Sequence, residues 1–441
     1  MSQQYNPVIG LEVHVETNTK TKMFCACSDD YFGKEPNTHT CPVCLGLPGA
    51  LPFTNEEAIE KCMKIGLALN CKVAESSLFE RKNYFYPDLA KGYQISQYRW
   101  PLCVGGSIEV TGKNGKKSTI RINRAHQEED TGKLTHVEGR TLIDFNRSGV
   151  PLVEIVTEPD FTDTEQIRDY AKQLREIFRN LGVSNADMEK GDMRLEANIS
   201  VRPVGQKELP NYRVELKNIN SFRFMVAAVE FEIKRQIEAL ESGETLHQET
   251  RGWNEAKHET YLQRSKEEAN DYRYFPEPDL PSLAVDRDLV KKLQEEARAA
   301  LPQTKVDNLV KTYGISQESA VTMIRQGSDP FFEELVAKLG QTGISSQIVA
   351  SMIINKKIDW QDLSTDDVVK QLKAQASQTA LSSDQLEKAI DEVIADNEKT
   401  AADYKAGKEN ALQALIGAVM KKTSGRADAK QAAEIIKEKL K

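Results

Sequence analysis

The chain has 441 residues, of which 39% are hydrophobic and 29% charged, and its formal net charge is -8. This length exceeds the roughly 250 to 300 residues that one hydrophobic core supports, so two or three domains are expected, and the composition excludes a largely disordered protein. The acidic balance argues against nonspecific coating of nucleic acid, and the absence of a long apolar run or a basic leader predicts a cytoplasmic protein without a membrane span.

The first 290 or so residues alternate between strands, turns and a few helices. Thr54 with Glu57, and Thr162 with Glu165, have the spacing of capping boxes and predict two helix starts. Apolar positions recur at helical spacing after the second start, and a third helix is predicted over residues 224–240. The recurring positions are Ile167, Tyr170, Leu174, Ile177, Phe178 and Leu181, with Gly182 as the stop.

Beyond residue 281 the pattern is almost wholly helical. Short helices are predicted over residues 291–299, 316–325, 329–339 and 346–354, separated by Gly, Pro and Ser. The polar last stretch has two apolar stripes and is interpreted as a separate small helical tail. The stripes contain Leu412, Leu415, Ile416, Val419, Met420, Ile435, Ile436 and Leu440. The predicted domains are residues 1–292, 293–375 and 376–441.

Three segments of the first part predict strands with one ionic face. Side chains alternate across a strand, so residues 11–16 (LEVHVE) place their apolar and charged members on opposite faces. Residues 194–202 and 212–217 repeat the pattern. The charged faces contain Glu12, His14 and Glu16; Arg194, Glu196, Asn198, Ser200 and Arg202; and Arg213, Glu215 and Lys217.

A solvated face of an ordinary antiparallel sheet would also explain charged residues at alternate positions. The composition favours a site instead, because carboxylates, His, Asn and Arg are the groups that hold divalent metals and phosphates. Further acids stand at the predicted ends of strands, in residues 126–130 (HQEED) and at Glu154. No glycine-rich phosphate loop is present, so a nucleotide would bind through metals and arginines.

Four cysteines have the spacing of a metal site. Cys25 with Cys27, and Cys41 with Cys44, form two close pairs that can place four thiolates around a structural Zn²⁺. His39 could replace one thiolate, although a surface turn is the alternative. The other three cysteines, Cys62, Cys71 and Cys103, are predicted to be ordinary buried thiols.

Long motifs of this sequence resemble the GatB family, the B subunits of tRNA-dependent amidotransferases. They are residues 8–16 (VIGLEVHVE), 41–52 (CPVCLGLPGALP), 82–89 (KNYFYPDL), 91–97 (KGYQISQ), 144–154 (DFNRSGVPLVE), 215–222 (ELKNINSF), 264–276 (RSKEEANDYRYFP) and 415–425 (LIGAVMKKTSG). The resemblance implies an α+β fold: an N-terminal cradle domain with an antiparallel sheet, related to glutamine synthetase and guanido kinases, then an all-α domain and a small α-helical tail that contacts tRNA.

The same resemblance implies a reaction in two steps. ATP phosphorylates the side-chain carboxylate of Glu or Asp esterified to tRNA, and ammonia then displaces phosphate to form Gln-tRNA(Gln) or Asn-tRNA(Asn). Mg²⁺ is the implied metal, and its implied ligands, also the implied catalytic residues, are Glu12, His14, Glu128 or Glu129, Glu154 and Glu196. Many relatives carry Asp at the position of Glu196. Candidate contacts to ATP phosphates or a carboxylate are Arg147, Arg194, Arg202, Arg213 and Lys217.

Nothing in the sequence resembles a glutaminase, so ammonia would come from elsewhere. The resemblance implies a heterotrimer with a glutaminase A subunit and a small C subunit. Two alternatives are a noncatalytic tRNA-binding scaffold and a free-standing ligase acting on a small molecule. The sequence does not select between Glu-tRNA(Gln) and Asp-tRNA(Asn) as substrate.

Overall fold

The computed structural model describes residues 4–219, 221–265, 271–340, 344–379, 383–405, 408–423, 427 and 429–440. The chain divides into two compact units, residues 1–308 and 309–441. The sheet-rich first part and the helical second part confirm the predicted α+β class. The three domain boundaries proposed from the sequence remain predictions. Among the described residues, no helix combines the length and the apolar character that crossing a membrane requires.

The strands lie in the first unit. They are β1 (Tyr5–Glu16), β2 (Lys72–Val73), β3 (Ser76–Ser77), β4 (Glu80–Asn83), β5 (Tyr93–Ser96), β6 (Cys103–Val104), β7 (Ser107–Thr111), β8 (Lys117–Glu129), β9 (Lys133–Val137), β10 (Arg140–Asp144), β11 (Pro151–Thr157), β12 (Met193–Pro203), β13 (Val214–Ile219), β14 (Glu249–Asn254), β15 (Glu259–Ser265), β16 (Phe275–Pro276) and β17 (Leu283–Ala284).

The helices occur in both units. They are α1 (Glu56–Ala68), α2 (Thr164–Asn180), α3 (Phe222–Glu241), α4 (Arg287–Ala300), α5 (Pro302–Tyr313), α6 (Gln317–Gln326), α7 (Asp329–Leu339), α8 (Ser346–Ile354), α9 (Thr365–Thr379), α10 (Ser383–Asp396), α11 (Glu398–Lys405), α12 (Glu409–Lys422) and α13 (Ala429–Lys439). A short 3₁₀ turn, Lys113–Gly115, precedes β8.

A large sheet of ten strands organises the first unit. Its strand order is β15-β14-β13-β12-β1-β11-β8-β6-β2, and β7 pairs with β8 beside this path. All neighbours are antiparallel except β13 and β14, which are parallel. The longest pairing joins β1 to β12, from Tyr5 opposite Pro203 to Val15 opposite Met193. The three strands predicted from alternating sequence are therefore adjacent in space.

One face of this sheet packs against helices α1, α2 and α3. The residues from β1 that point to the helices include Leu11 and Val13, which share a buried core with Leu174 and Phe178 of α2. Burying one such side chain stabilises the fold by about 1.5–3 kcal/mol, so this apolar face fixes the strand register. The alternate residues of the same strands must then point to the opposite face.

Two predicted helix starts are wrong by one residue. The side chain of Asn55, rather than Thr54, accepts a hydrogen bond from the Ala58 amide at the start of α1. At α2 the capping box joins Asp163 and Gln166, which exchange side-chain and backbone hydrogen bonds. Both corrections have one physical reason: Asn and Asp compete well with Thr for the first free amides of a helix.

The predicted helices are otherwise confirmed. Helix α2 buries its apolar stripe, α3 extends from Phe222 to Glu241, and α4 contains the residues predicted to be helical between 291 and 299. Helix α5 was not predicted; it begins at Pro302, a residue suited to the first helical position. In the first unit, α4 places Leu293 in the same core as the large sheet.

Helices also form the second unit, as predicted. The observed α7 and α8 coincide with the predicted ranges, and α6 begins after Ser316, whose hydroxyl caps it. In the tail, Leu415 and Val419 of α12 pack with Ile436 of α13 and with residues of α10 in a small core of their own. Both apolar stripes of the tail are thus explained by packing.

Candidate active site and metal centre

The register of the large sheet brings the ionic side chains together. His14 of β1 lies opposite Glu154 of β11 on one side and Arg194 of β12 on the other. Glu12 lies opposite Glu196, and His126 of β8 lies opposite Glu154. Because paired residues on one face have neighbouring side chains, four strands contribute to one charged surface.

The first group of potential ligands contains His14, Glu128 and Glu154, each of which offers one atom within 4.8 Å of the others. His126 binds both carboxylates, with its Nε2 atom 3.2 Å from Glu154 Oε2 and 3.3 Å from Glu128 Oε1. Ser96 of β5 donates a hydrogen bond of 2.6 Å to Glu128. These neighbours hold the carboxylates in place before any ligand binds.

The charge states of this group favour cation binding. Burial opposes ionisation of Glu154, but His126, His14 and Lys82 hold its pKa well below its usual range. Burial likewise opposes ionisation of Glu128, but Lys82 and His126 keep its pKa below its usual value. Both carboxylates are therefore ionised at neutral pH, although they are almost fully buried. Their ammonium neighbour, Lys82, lies 5.3 Å from the ring centre of Tyr272.

The second group contains Glu12, Glu196 and Glu215, whose oxygen atoms also lie within 4.8 Å of one another. Lys217 Nζ bridges two of them, at 2.8 Å from Glu196 and 3.4 Å from Glu215. Asn198 donates a hydrogen bond of 2.9 Å to Glu12. Burial, together with the nearby carboxylates, raises the pKa of Glu12. This repulsion among carboxylates is what a bound cation would relieve.

Beyond the first group, Arg147 and Arg194 both approach Asp130. Arg194 forms an ion pair with Asp130, and Arg147 Nε lies 3.7 Å from the same carboxylate. The second candidate for the 128/129 position, Glu129, points elsewhere: it pairs with Lys91 and accepts a hydrogen bond of 2.8 Å from the Ile95 amide. The structure thus brings Glu128, but not Glu129, to His14 and Glu154.

The two remaining arginine candidates lie in different places. Arg202 is six residues along β12 from Glu196, a distance of about 20 Å at the usual rise of a strand. Its guanidinium donates to the Lys207 carbonyl. Arg213 is exposed and lines a cavity of about 380 Å³ that also contacts Glu12 and Asn198. Of these two, only Arg213 borders the second group.

Three residues without a predicted role, His126, Lys82 and Glu215, contribute to the two groups. Alternation along the strands provided a signal for two of them, since His126 shares a face with Glu128 and Glu215 shares one with Lys217. Lys82 comes from a separate small sheet of β16, β4 and β5. No sequence spacing predicts that this sheet contributes a lysine to the site.

The four predicted cysteines form a compact cluster in the loop between β1 and α1. The sulfur atoms of Cys25, Cys27, Cys41 and Cys44 lie within 4.8 Å of one another, and no disulfide links any of the chain's described cysteines. The amide of Cys41 donates to Cys44 Sγ at 3.1 Å. A hydrogen bond from Cys25 lowers the pKa of the Cys44 thiol to about 5. Four sulfur donors of this kind are compatible with a structural metal.

The remaining cysteines and the nearby histidine also have clear positions. Cys62, Cys71 and Cys103 are buried in the core, as predicted. His39 does not belong to the group of four thiols: its amide donates to Asn146, and its carbonyl accepts a hydrogen bond from Lys22.

Comparison with known proteins identifies the class. A family model described as the GatB/GatE catalytic domain matches residues 7–291, and one described as the GatB domain matches residues 292–440. The charged sheet face and the cysteine cluster lie in the first match, so the site belongs to a catalytic domain of an amidotransferase. The chain as a whole belongs to the GatB family.

Relatives resemble the chain over its full length. A protein of Caldicellulosiruptor saccharolyticus is 42% identical over 99% of both chains, and one of Thermodesulfovibrio yellowstonii is 43% identical over 98% of both. A protein of Thermoanaerobacter pseudethanolicus is 43% identical over 99% of both chains. Each is named as the B subunit of an aspartyl/glutamyl-tRNA(Asn/Gln) amidotransferase. The resemblance noted in the sequence motifs is confirmed.

Proposed function

We propose that the chain is the subunit of a tRNA-dependent amidotransferase that activates the carboxylate of tRNA-bound Glu or Asp with ATP and amidates it. The observation that carries this proposal is the pair of ligand groups on one sheet face, His14, Glu128 and Glu154 beside Glu12, Glu196 and Glu215. A surface that only carries solvated charge has no need for buried carboxylates that stay ionised, as Glu128 and Glu154 do.

The donors of both groups fit a divalent cation. Carboxylate oxygens are the ligands that Mg²⁺ prefers, and the second group offers three of them. The first group adds the imidazole of His14, which is a less typical Mg²⁺ ligand than a carboxylate. Bound Mg²⁺ would neutralise the charge of the ATP phosphates and of the substrate carboxylate, which otherwise repel each other. The proposed ligands are Glu12, His14, Glu128, Glu154 and Glu196, with Glu215 added.

The reaction needs two substitutions. A carboxylate oxygen of the substrate attacks the γ-phosphorus of ATP, the bond to ADP breaks, and an acyl phosphate forms. Ammonia then attacks the carbonyl carbon, phosphate leaves with the electron pair of its C–O bond, and the nitrogen loses a proton. Phosphate is a better leaving group than the oxide that an unactivated carboxylate would have to lose, which is why activation must precede amidation.

The cations of the face would bind the anionic groups of the substrates. Lys217 already lies between two carboxylates of the second group, and Arg213 borders the adjoining cavity. Arg194 and Arg147 neutralise Asp130 at the other end of the face. A planar guanidinium matches phosphate and carboxylate groups, so Arg194 and Arg213 are the proposed phosphate contacts.

The wider proposal follows what the motif resemblance to the GatB family implies. The N-terminal part would act as a cradle related to glutamine synthetase and guanido kinases, and the tail, residues 376–441, would bind tRNA. A glutaminase A subunit would supply ammonia, and a small C subunit would complete a heterotrimer. The cysteine cluster would hold a structural Zn²⁺, because four sulfur donors close a tetrahedral coordination sphere.

The test of activity is transfer of label from γ-labelled ATP to Glu-tRNA(Gln) and Asp-tRNA(Asn), with and without the partner subunits. We expect Glu12→Ala and His14→Ala to abolish labelling while tRNA affinity stays near that of the wild type. Glu208→Ala, a change at an exposed glutamate outside the face, is the matched control. Unchanged labelling in the first two variants would instead favour a noncatalytic tRNA-binding scaffold.

Two further measurements test the tail and the metal separately. Truncation before residue 376 should weaken tRNA binding more than ATP hydrolysis, and equal tRNA affinity would contradict that assignment. Metal analysis of the purified chain should find about one zinc ion per chain. Substoichiometric zinc in protein purified without chelators would refute the zinc site but leave the amidotransferase proposal standing.

A further inference from the structure

Lys22 is a fully buried lysine beside the cysteine cluster. Its side chain is only 1% exposed. The ammonium donates to the carbonyl oxygens of His39 at 2.7 Å and Phe145 at 3.4 Å, and it lies 3.9 Å from Cys44 Sγ. Within the part of the chain that the structure describes, no carboxylate forms an ion pair with it.

A buried ammonium of this kind requires a counter-charge. Lysine is almost never fully buried unless it is paired, and a buried charge without a partner is strongly destabilising. Carbonyl oxygens satisfy the N–H donors of Lys22 but supply no formal negative charge. The group that can supply it is the cysteine cluster, because a Zn²⁺ ion with four thiolates carries a net negative charge.

We propose that Lys22 is the counter-cation of the four-cysteine site, and that its buried charge stabilises the metal-bound state with four thiolates. This inference rests on the zinc site proposed above. It assigns Lys22 a positioning and electrostatic role rather than a catalytic one, since its ammonium reaches Cys44 and two backbone carbonyls.

The location of Lys22 also links the cluster to the charged sheet face. Its amide donates to the Cys27 carbonyl, and the next amide in the chain donates to the Gly149 carbonyl at 2.7 Å. Its ammonium binds Phe145, which is two residues before Arg147. Lys22 therefore touches both cysteine pairs and the loop that carries an arginine of the face. Hydrogen bonds alone would make Lys22 structurally important, so the test must separate charge from tethering.

The variant Lys22→Met removes the charge and keeps an unbranched apolar side chain of similar length. Lys20→Met, at an exposed lysine two residues earlier, is the matched control. Zinc affinity is measured in the full chain by competition with a chelating dye. We expect Lys22→Met to weaken zinc binding by about 10- to 100-fold, the usual effect of losing a partner of a metal ligand, with no change in Lys20→Met.

A second measurement distinguishes charge from tethering. In the wild type and in Lys22→Met, the resistance of the cysteine-containing loop between β1 and α1 to proteolysis is measured with zinc bound and after zinc removal by chelation. If Lys22 acts as a counter-cation, Lys22→Met loses more resistance with zinc bound than after zinc removal, because the metal-bound site with four thiolates carries the larger negative charge. A purely tethering role would make the variant lose the same resistance under both conditions, and this would overturn the inference.

Lys22→Arg keeps the positive charge and is the charged variant with which the neutral variants are compared. It should bind zinc more tightly than Lys22→Met, and more tightly than a Lys22→Gln variant if Lys22→Met does not fold. Equal losses in the charged and neutral variants would overturn the inference. If the wild type binds zinc and Lys22→Met binds it equally tightly, the role of Lys22 is refuted but the zinc site stands. If the wild type binds no zinc, both the zinc site and the role of Lys22 are refuted.

Discussion

Replacement of Glu154 by Gln tests whether the sheet face is a coupled charge network. The substitution keeps the shape of the side chain but removes the negative charge between His126 and His14. Glu154 Oε2 is 3.2 Å from His126 Nε2 and 4.0 Å from His14 Nε2. His126 is the best reporter, because it is 1% exposed and binds only carboxylates through this atom.

The magnitude follows from the pKa of His126. Burial lowers this pKa, but Glu154 and Glu128 raise it from 6.5 to about 8. A rise of this size means that the folded protein favours the protonated imidazole by about 2 kcal/mol more than an unfolded chain does. In Glu154→Gln, only the carboxylate of Glu128 still raises the pKa of His126, while burial lowers it as before. We therefore expect the pKa of His126 to fall to 6.5 or below.

The same shift makes a prediction about stability. The pKa of folded His126 lies above the value of about 6.5 for an unfolded histidine, so its contribution is fully present below pH 6.5. The contribution is lost as pH rises through about 8. Consequently, Glu154→Gln should lower the unfolding free energy of the first unit by about 2 kcal/mol more at pH 6 than at pH 9.

The pKa is measured by NMR of the ring C–H groups in metal-free protein, with a chelator present so that no ion competes with protons. The chain has six histidines, and His126→Gln assigns the relevant signal. A His126 pKa in Glu154→Gln that equals or exceeds the wild-type value would refute the proposed coupling. Denaturant unfolding of both proteins at pH 6 and pH 9 provides the independent check.

Three other predictions concern the second ligand group, a helix cap and the tail. Glu215→Gln should abolish or strongly reduce ATP-dependent labelling of aminoacyl-tRNA, and wild-type labelling would remove Glu215 from the proposed ligands. Asp163→Ala should lower the unfolding free energy by about 1 kcal/mol and Thr162→Ala by less, as measured in denaturant; the reverse order would contradict the observed cap. Leu415→Ala should destabilise the tail core by about 2–5 kcal/mol, which faster amide exchange in α12 and α13 would report; unchanged exchange would contradict the packing.

The sequence predicted the charged face because strand periodicity is local. Alternation along β1 and β12 was enough to place Glu12, His14 and Glu196 on one side of their strands. Helical periodicity likewise predicted α2, α7 and α8, and close spacing predicted the cysteine cluster. The helix starts failed by one residue because neighbouring polar side chains compete for the same free amides.

By itself, then, the sequence determined the family, the class of fold and the residues that share one face of a strand. Only the tertiary structure decided which of these side chains meet. The pairing of β8 with β11 brings His126 to Glu154, and the small sheet adds Lys82; together, His126 and Lys82 keep the buried carboxylates of Glu154 and Glu128 ionised. The tertiary structure also brings Glu128, but not Glu129, into the first ligand group, and it places Arg202 away from both groups. Strand register and burial are set by long-range packing, which no local spacing encodes.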